Sequence, residues 1–361
     1  MTKRVGISIY PDQERLQDTL DYIDLAAGYG YRRIFTCLIS EAGRTLEETV
    51  ASFRKITARA RAQNMEIIAD VAPEVFQRFG VSWKDLRFFH QLGLSGIRLD
   101  IGFSGLEESI MSLNPYGLKL ELNISNGTGY LENILSQCPD KTKLTGCHNF
   151  YPHRYTGLGM EHFLKTSRCC KKHGIHTAAF VNAPSADHGP WPVHEGLCTL
   201  EQHRSLSIAA QAKQLFATGL IDEVIIANAF ASEAELEALA DVPREIVTFR
   251  LDVEKGIHDT ERRILFEELH FNRGDVSDYL IRSTQPRVKY GGEDLPAWNT
   301  PDLLPGDVVI ESSAYPRYAG ELQIVKRMMP NSGRSNVVAH IVEEERCLID
   351  GIAPWQKFRF E

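Results

Sequence analysis

The sequence predicts an α/β fold: a (β/α)8 barrel followed by a small, mainly antiparallel β domain. Strand-like and helix-like stretches alternate eight times before about residue 243, which matches the beat and the roughly 250-residue length of an eightfold barrel. Beyond Pro243 the beat gives way to short strand-like runs separated by Pro286, Pro296, Pro301, Pro305 and Gly306, as in an antiparallel sheet. A doubly wound open sheet shares the alternation, but no G-x-G-x-x-G follows the first strand, so the dinucleotide-binding version loses its signature. The domains are expected at 1–243 and 244–361, with no low-complexity linker between them.

The elements follow in order. Residues 4–10 (RVGISIY) alternate Val5, Ile7 and Ile9 against Gly6, Ser8 and Tyr10, a strand pattern. Leu16, Leu20 and Ile23 at helical spacing mark a helix over 13–29, ending near Gly28 and Gly30. The next pairs are strand 33–38 with helix 45–63, and strand 66–71 with helix 83–92. In the latter, Ser82 reads as an N-cap with Asp85 as a weak capping-box partner. Then come 97–101 with 106–113, 118–124 with 130–138, and 144–150 with 161–173. Strand 176–182 precedes a long helix over 199–217, whose start, TLEQ, has the capping-box signature. Strand 223–228 and the capped helix 232–239 close the series. In the second domain, 245–253, 308–311, 322–325 and 336–341 read as strands and 261–265 as a short helix.

Composition narrows the function. A chain of 361 residues with 43% hydrophobic content can bury a large core and a smaller one. The formal net charge of -8 supplies no basic excess for general nucleic-acid binding, although local arginines can still take a small anion. Seven scattered cysteines without C-x-x-C read as reduced thiols. No signal-like or membrane-length apolar run is present. The expectation is a soluble cytoplasmic protein with a small-molecule ligand, no nucleic-acid or membrane partner and no cofactor. A homo-oligomer is compatible with it.

In a barrel, function collects where strands end at the C-terminal face. Alternation puts Arg98 with Asp100 in IRLDI, and Lys119 with Glu121 and Asn123 in LKLELNI. Asp70, Asp100 and Glu121 thus come from three consecutive strands and are expected at one mouth, where burial and like charge split carboxyl pKa values for acid–base work. The alternative is that Arg98 and Lys119 neutralise them. The segment LTGCHNFYPHRYTGL opens from a strand into His148, Asn149, Tyr151, His153, Arg154 and Tyr155, a density of polar groups that suits a binding rim. Asn182 and Asn228 end the next two strands. The long loop 183–197 has the length of a lid, with Trp191 placed to stack on a sugar ring and Glu195, Glu201, His203 and Arg204 at the rim. His148, His153, His188 and His194 invite a metal, but no His-x-His follows strand one and no His-Glu-x-x-His exists, so no metal is expected. In the second domain, IRSTQPR gathers Arg282, Ser283 and Arg287, a set able to bind phosphate or carboxylate.

GISIYP, RLDIGF, ELNIS, HNFYPHRYTGL, EGLCTLEQHR, AFASEAEL, RSTQPR and YAGELQIV, in this order along the chain, resemble the MupG-type 6-phospho-N-acetylmuramidase family. The resemblance implies a (β/α)8 barrel with a cyclophilin-like second domain. It also implies hydrolysis of the bond between 6-phospho-N-acetylmuramic acid and N-acetylglucosamine during cell-wall recycling in the cytosol. Strand position, not the resemblance, nominates the residues: Asp100 and Glu121 as the catalytic pair with Asp70 in reserve; His148, Asn149, Tyr151 and Asn182 on the sugar, with Glu195 at the rim; Arg282, Ser283 and Arg154 on the phosphate or lactyl carboxylate. Inversion or retention depends on carboxyl separation, and participation of the substrate's acetamido group stays open. A metal-dependent hydrolase, a sugar-phosphate isomerase on the same barrel and a non-catalytic sugar-phosphate sensor are the alternatives.

Overall fold

The structure, a computed structural model, describes residues 3–11, 15–38, 46–71, 75–76, 80–190, 192–193 and 195–361. Trp191 and His194 lie outside the described residues. The chain divides into two compact units, Met1–Leu215 with Gly219–Val242, and Pro243–Glu361 with Phe216–Thr218.

In the first unit β1 (Arg4–Ile9), β2 (Arg33–Cys37), β3 (Glu66–Asp70), β4 (Gly96–Leu99), β5 (Lys119–Asn123), β6 (Leu144–Cys147), β7 (His176–Val181) and β8 (Glu223–Ile226) form a closed barrel in sequence order. Each strand pairs in parallel with the next, and β1 closes on β8 through Arg4 opposite Glu223. The helices between them are α1 (Leu16–Gly28), α2 (Leu46–Ala62), α3 (Arg87–Gln91), α4 (Leu106–Ser112), α5 (Tyr130–Ser136), α6 (Met160–Lys172), α7 (Ile208–Ala217) and α8 (Glu233–Ala240). The capping box expected at Ser232 forms: its hydroxyl accepts from Glu235 N while the Glu235 carboxylate accepts from Ser232 N.

Two helices start later than their sequence signals. The expected helix 199–217 is a 3-10 turn at Glu201–His203 followed by α7. Its signature residues are used elsewhere: Glu201 accepts from the amides of Tyr155 and Gly157, and the Thr199 hydroxyl bonds Asn149 O. Similarly, α3 begins at Arg87, whose amide donates to Asp85 at 2.9 Å, rather than next to Ser82.

In the second unit, α9 (Asp259–Glu267) and α10 (Gln285–Tyr290) accompany two sheets. One has five strands in the order β10 (Leu251–Val253), β15 (Ser335–Ile341), β13 (Asp307–Glu311), β14 (Leu322–Val325) and β12 (Leu280–Ser283), all antiparallel. The other joins β11 (His270–Phe271), β16 (Lys357–Phe360) and β9 (Val247–Phe249). The expected single strand over 245–253 is thus two strands in different sheets. The break falls at Arg250, whose backbone and guanidinium both bond Glu345. Val308, Ile310, Leu322, Ile324 and Phe249 form the main core of this unit, and Val309, Val325 and Val337 a smaller cluster with Leu303.

Candidate active site

Barrel strands alternate inward and outward side chains, and here the inward positions carry an unusual load of charge. Near the N-terminal end Arg4 bonds Glu66 at 2.9 Å and also Glu223, while Lys119 takes Glu66 at 2.7 Å. One level on, Arg33 Nη2 donates to both oxygens of Glu121 at 2.8 and 2.7 Å, and its Nε lies 3.3 Å from Glu223. The side chains of Arg33 and Glu121 are only 0% and 2% exposed. Glu121 is therefore a closed-off member of the barrel core, tied to an arginine that reaches it from β2.

At the C-terminal end the pattern opens. Arg98 on β4 is buried, and its Nη1 donates to Asp70 at 3.1 Å and to Asp100 at 3.2 Å, while Nη2 donates to Asn149. Asn123, at the end of β5, donates to Asp100 at 3.1 Å and accepts from Ser125 N at 2.9 Å. Ser125 Oγ in turn accepts from Asn149 N at 2.8 Å, and Tyr151 bonds the same hydroxyl. Asp70, Asp100 and Asn149 thus meet around one guanidinium, with Asn123, Ser125 and Tyr151 linked to them. The Asp100 side chain is 44% exposed and that of Asp70 22%. Burial, helped by the charges of Asp100 and Glu121, outweighs the pull of Arg98 and leaves the Asp70 carboxyl above its ordinary value.

Other nominated residues lie elsewhere. His148, just after β6, is buried behind the cluster: its Nε2 lies 2.8 Å from Ser167 Oγ on α6, its Nδ1 3.4 Å from Ser125 Oγ and its ring centroid 4.6 Å from that of Phe163. Burial pushes its pKa down to about 3, which favours the neutral ring. Asn182 is buried and spends its carbonyl on Leu197 N, holding the β7 loop. Asn228 accepts from Ala183 N and donates through its amide to the carbonyls of Ala183 and Ala186. Glu195 accepts from Arg154 N at 3.0 Å, and the guanidinium of Arg154 stays exposed at 3.7 Å from it. Arg282 and Ser283 are adjacent on β12 in the second unit and face opposite ways. Ser283 is buried with its hydroxyl 3.0 Å from His270 Nδ1, whereas Arg282 donates through Nε to Glu321 at 2.7 Å.

Two supports were not singled out by sequence for their role here. Arg204 Nη1 donates to the carbonyls of Tyr151, Glu195 and Gly196 at 2.9, 3.1 and 2.6 Å, and pairs with Glu201. Glu201, held down to about 2 mainly by Arg204, also anchors Tyr155, a non-glycine residue at φ 66°. The loop after β4 is pinned by buried Glu108, which accepts from Phe103 N, from Gly105 N at 2.7 Å and from Tyr130 Oη at 2.5 Å. A Cβ on Gly102 would lie 1.7 Å from that Tyr130 oxygen, so only glycine fits. The signal for this second device was a Glu three residues after Gly105, at the N3 position of α4.

Comparison with known proteins places the whole chain. The profile described as 6-phospho-N-acetylmuramidase, N-terminal, matches residues 5–241, and that described as 6-phospho-N-acetylmuramidase, C-terminal, matches residues 247–361. The crystal structure of an uncharacterized B. cereus protein is 46% identical, with all of both chains covered and a TM-score of 0.91. A conserved Enterococcus faecalis protein with an unknown function is 25% identical over 99% of this chain and 96% of its own, with a TM-score of 0.69. No curated protein matches. With both profiles matched in order, the chain belongs to the 6-phospho-N-acetylmuramidase family.

Proposed function

We propose that the protein is a glycosidase that cleaves the bond between 6-phospho-N-acetylmuramic acid and N-acetylglucosamine, with Asp70 and Asp100 as its carboxyl pair. The observation that carries this reading is two carboxylates from neighbouring strands held on one guanidinium nitrogen at the C-terminal end of the barrel. The family description supports a 6-phospho-N-acetylmuramic acid residue on one side of that bond. Asp70, whose pKa burial raises above the ordinary carboxylate value, serves as the acid toward the leaving oxygen. Asp100, exposed and hydrogen-bonded by Asn123 and Arg98, serves as the partner at the anomeric carbon. Both carboxylates bond the same nitrogen, Arg98 Nη1, at 3.1 and 3.2 Å, a closeness that favours the retaining arrangement over the wider inverting one. Retention of anomeric configuration is the expected outcome of this reading. Asn123, Asn149 and Tyr151 are placed to hold sugar hydroxyls and the acetamido group. The setting this implies is cytoplasmic recycling of cell-wall sugars. Among the described residues no helix is long and apolar enough to cross a membrane.

The test is turnover of the 6-phosphorylated disaccharide beside its unphosphorylated twin, with and without chelator, reading the first-formed anomer by proton NMR. Cleavage of the phosphorylated form alone, insensitive to chelator and with retention, supports the reading. Chelator-sensitive cleavage points to a metal hydrolase, and saturable binding without cleavage to a sensor. An inverted product removes the roles given to the aspartate pair.

A further inference from the structure

A second concave feature lies wholly within the second unit. It is a groove of about 570 Å³ on the five-stranded sheet, lined among others by Arg282, Glu311, Tyr315, Tyr318, Gln323 and Ser335. Its charge is arranged by a fully buried carboxylate. Glu321 accepts from Arg282 Nε at 2.7 Å and from Arg287 Nη1 at 3.0 Å, and both guanidinium groups stand over the Tyr318 ring, at 5.9 and 5.5 Å from its centroid. Two arginines on one glutamate leave a net positive charge. Because Glu321 takes only Nε of Arg282, both Nη groups of that side chain have no protein partner among the described residues. Glu321 and Tyr318 thus fix a guanidinium whose two-nitrogen edge remains for a ligand, the geometry that suits a planar or tetrahedral oxoanion.

The rest of the groove is polar but not acidic enough to cancel this. Burial pushes Glu311 up to about 7, and Ser335 Oγ donates to it at 2.8 Å. The Glu311 carboxyl, the Gln323 amide and the Ser335 hydroxyl together offer donors and acceptors to hydroxyl or acetamido groups, with the Tyr315 and Tyr318 rings beside them as apolar faces.

We propose that this groove is a ligand site confined to the second unit, which takes the phosphate or carboxylate of an acidic amino sugar on Arg282. The choice of sugar rests on the function proposed above; the anion chemistry rests on the groove.

The experiment is titration calorimetry on the full chain with three probes: N-acetylglucosamine 6-phosphate, N-acetylmuramic acid and neutral N-acetylglucosamine. The first carries only a phosphate and the second only a carboxylate, so the pair tells the two anion sources apart. At least one is expected to bind, and the neutral sugar to bind much more weakly. Arg282→Gln removes the charge, while Arg282→Lys keeps a cation beside Glu321 and removes only the fork. Both are expected to weaken anion binding roughly ten- to hundred-fold, with the Lys variant keeping the wild-type melting temperature. The same Arg282-dependent binding is expected in Asp100→Asn, which separates the groove from the barrel. A folded Arg282→Lys chain that binds both anions like wild type overturns the site, as does equal binding of all three probes. Absence of disaccharide cleavage with Arg282-dependent binding intact would sink the proposed function and leave the groove standing; the converse result would do the reverse.

Discussion

The two ends of the barrel are built from the same strands and the same kind of residue, yet they are different chemical objects. At the N-terminal end, cations and carboxylates interlock through several contacts each, and the Arg33–Glu121 pair has almost no solvent exposure. At the C-terminal end one buried guanidinium serves two carboxylates and an amide, and one of those carboxylates is open to solvent. Having charges in a barrel does not make a site. A site needs a carboxylate that is held but not used up.

The sharpest way to break this comparison is to neutralise each end in turn. Asp70→Asn and Asp100→Asn should each lower kcat by about 10²–10⁴-fold, with cooperative unfolding retained in both; loss of folding in place of loss of turnover would erase the distinction. Arg33→Met should do the opposite. It leaves Glu121 buried without its cation and removes one of the positive charges facing Glu223, at a cost of about 3–5 kcal/mol in urea unfolding, while the folded fraction keeps its KM. Gly102→Ala, which collides with Tyr130, should raise KM and lower kcat together by disturbing the loop that carries Asp100, with a smaller change in melting temperature.

The finest test is the sign of pH dependence. Burial alone would raise Glu223, but His176, Arg33 and Arg4 outweigh it and hold it well below the ordinary 4.5. Its contribution to stability is present above that ordinary value and is lost as pH falls toward the depressed one. Glu223→Gln should therefore be less stable than wild type at neutral pH, and the gap should close in acid. Asp70 is raised above 3.8, so the folded state gains from its protonation and loses that gain as pH rises through the raised value. Asp70→Asn should then match or exceed wild-type stability at pH 7 and lose this advantage in acid. Parallel pH profiles for the two variants would contradict the contrast between the ends.

Alternation made much of this legible. It put Arg98 with Asp100 and Glu121 with Asn123 on inward faces, and the structure has them there. Depth was not legible. The register partner of Glu121 on β4 is Arg98, but its ionic partner is Arg33, which arrives across the interior because of strand tilt, and no local pattern encodes that. The same alternation, applied to His148–Asn149 and Arg282–Ser283, sends one residue of each pair away from its neighbour's side, so nominating both members ignored the period of two. TLEQ misled for another reason: a capping signature is satisfied by any nearby amide, and Glu201 found Tyr155 and Gly157.

Arg204 and Glu201 carry an implication for redesign. Together they grip segment 151–157 and segment 195–196, so these two stretches of the rim form one mechanical module. A loop transplanted from a relative into either position alone would arrive without its clasp. Exchanging both with residues 201–204 is the smallest graft expected to preserve the shape of the mouth while changing what it admits.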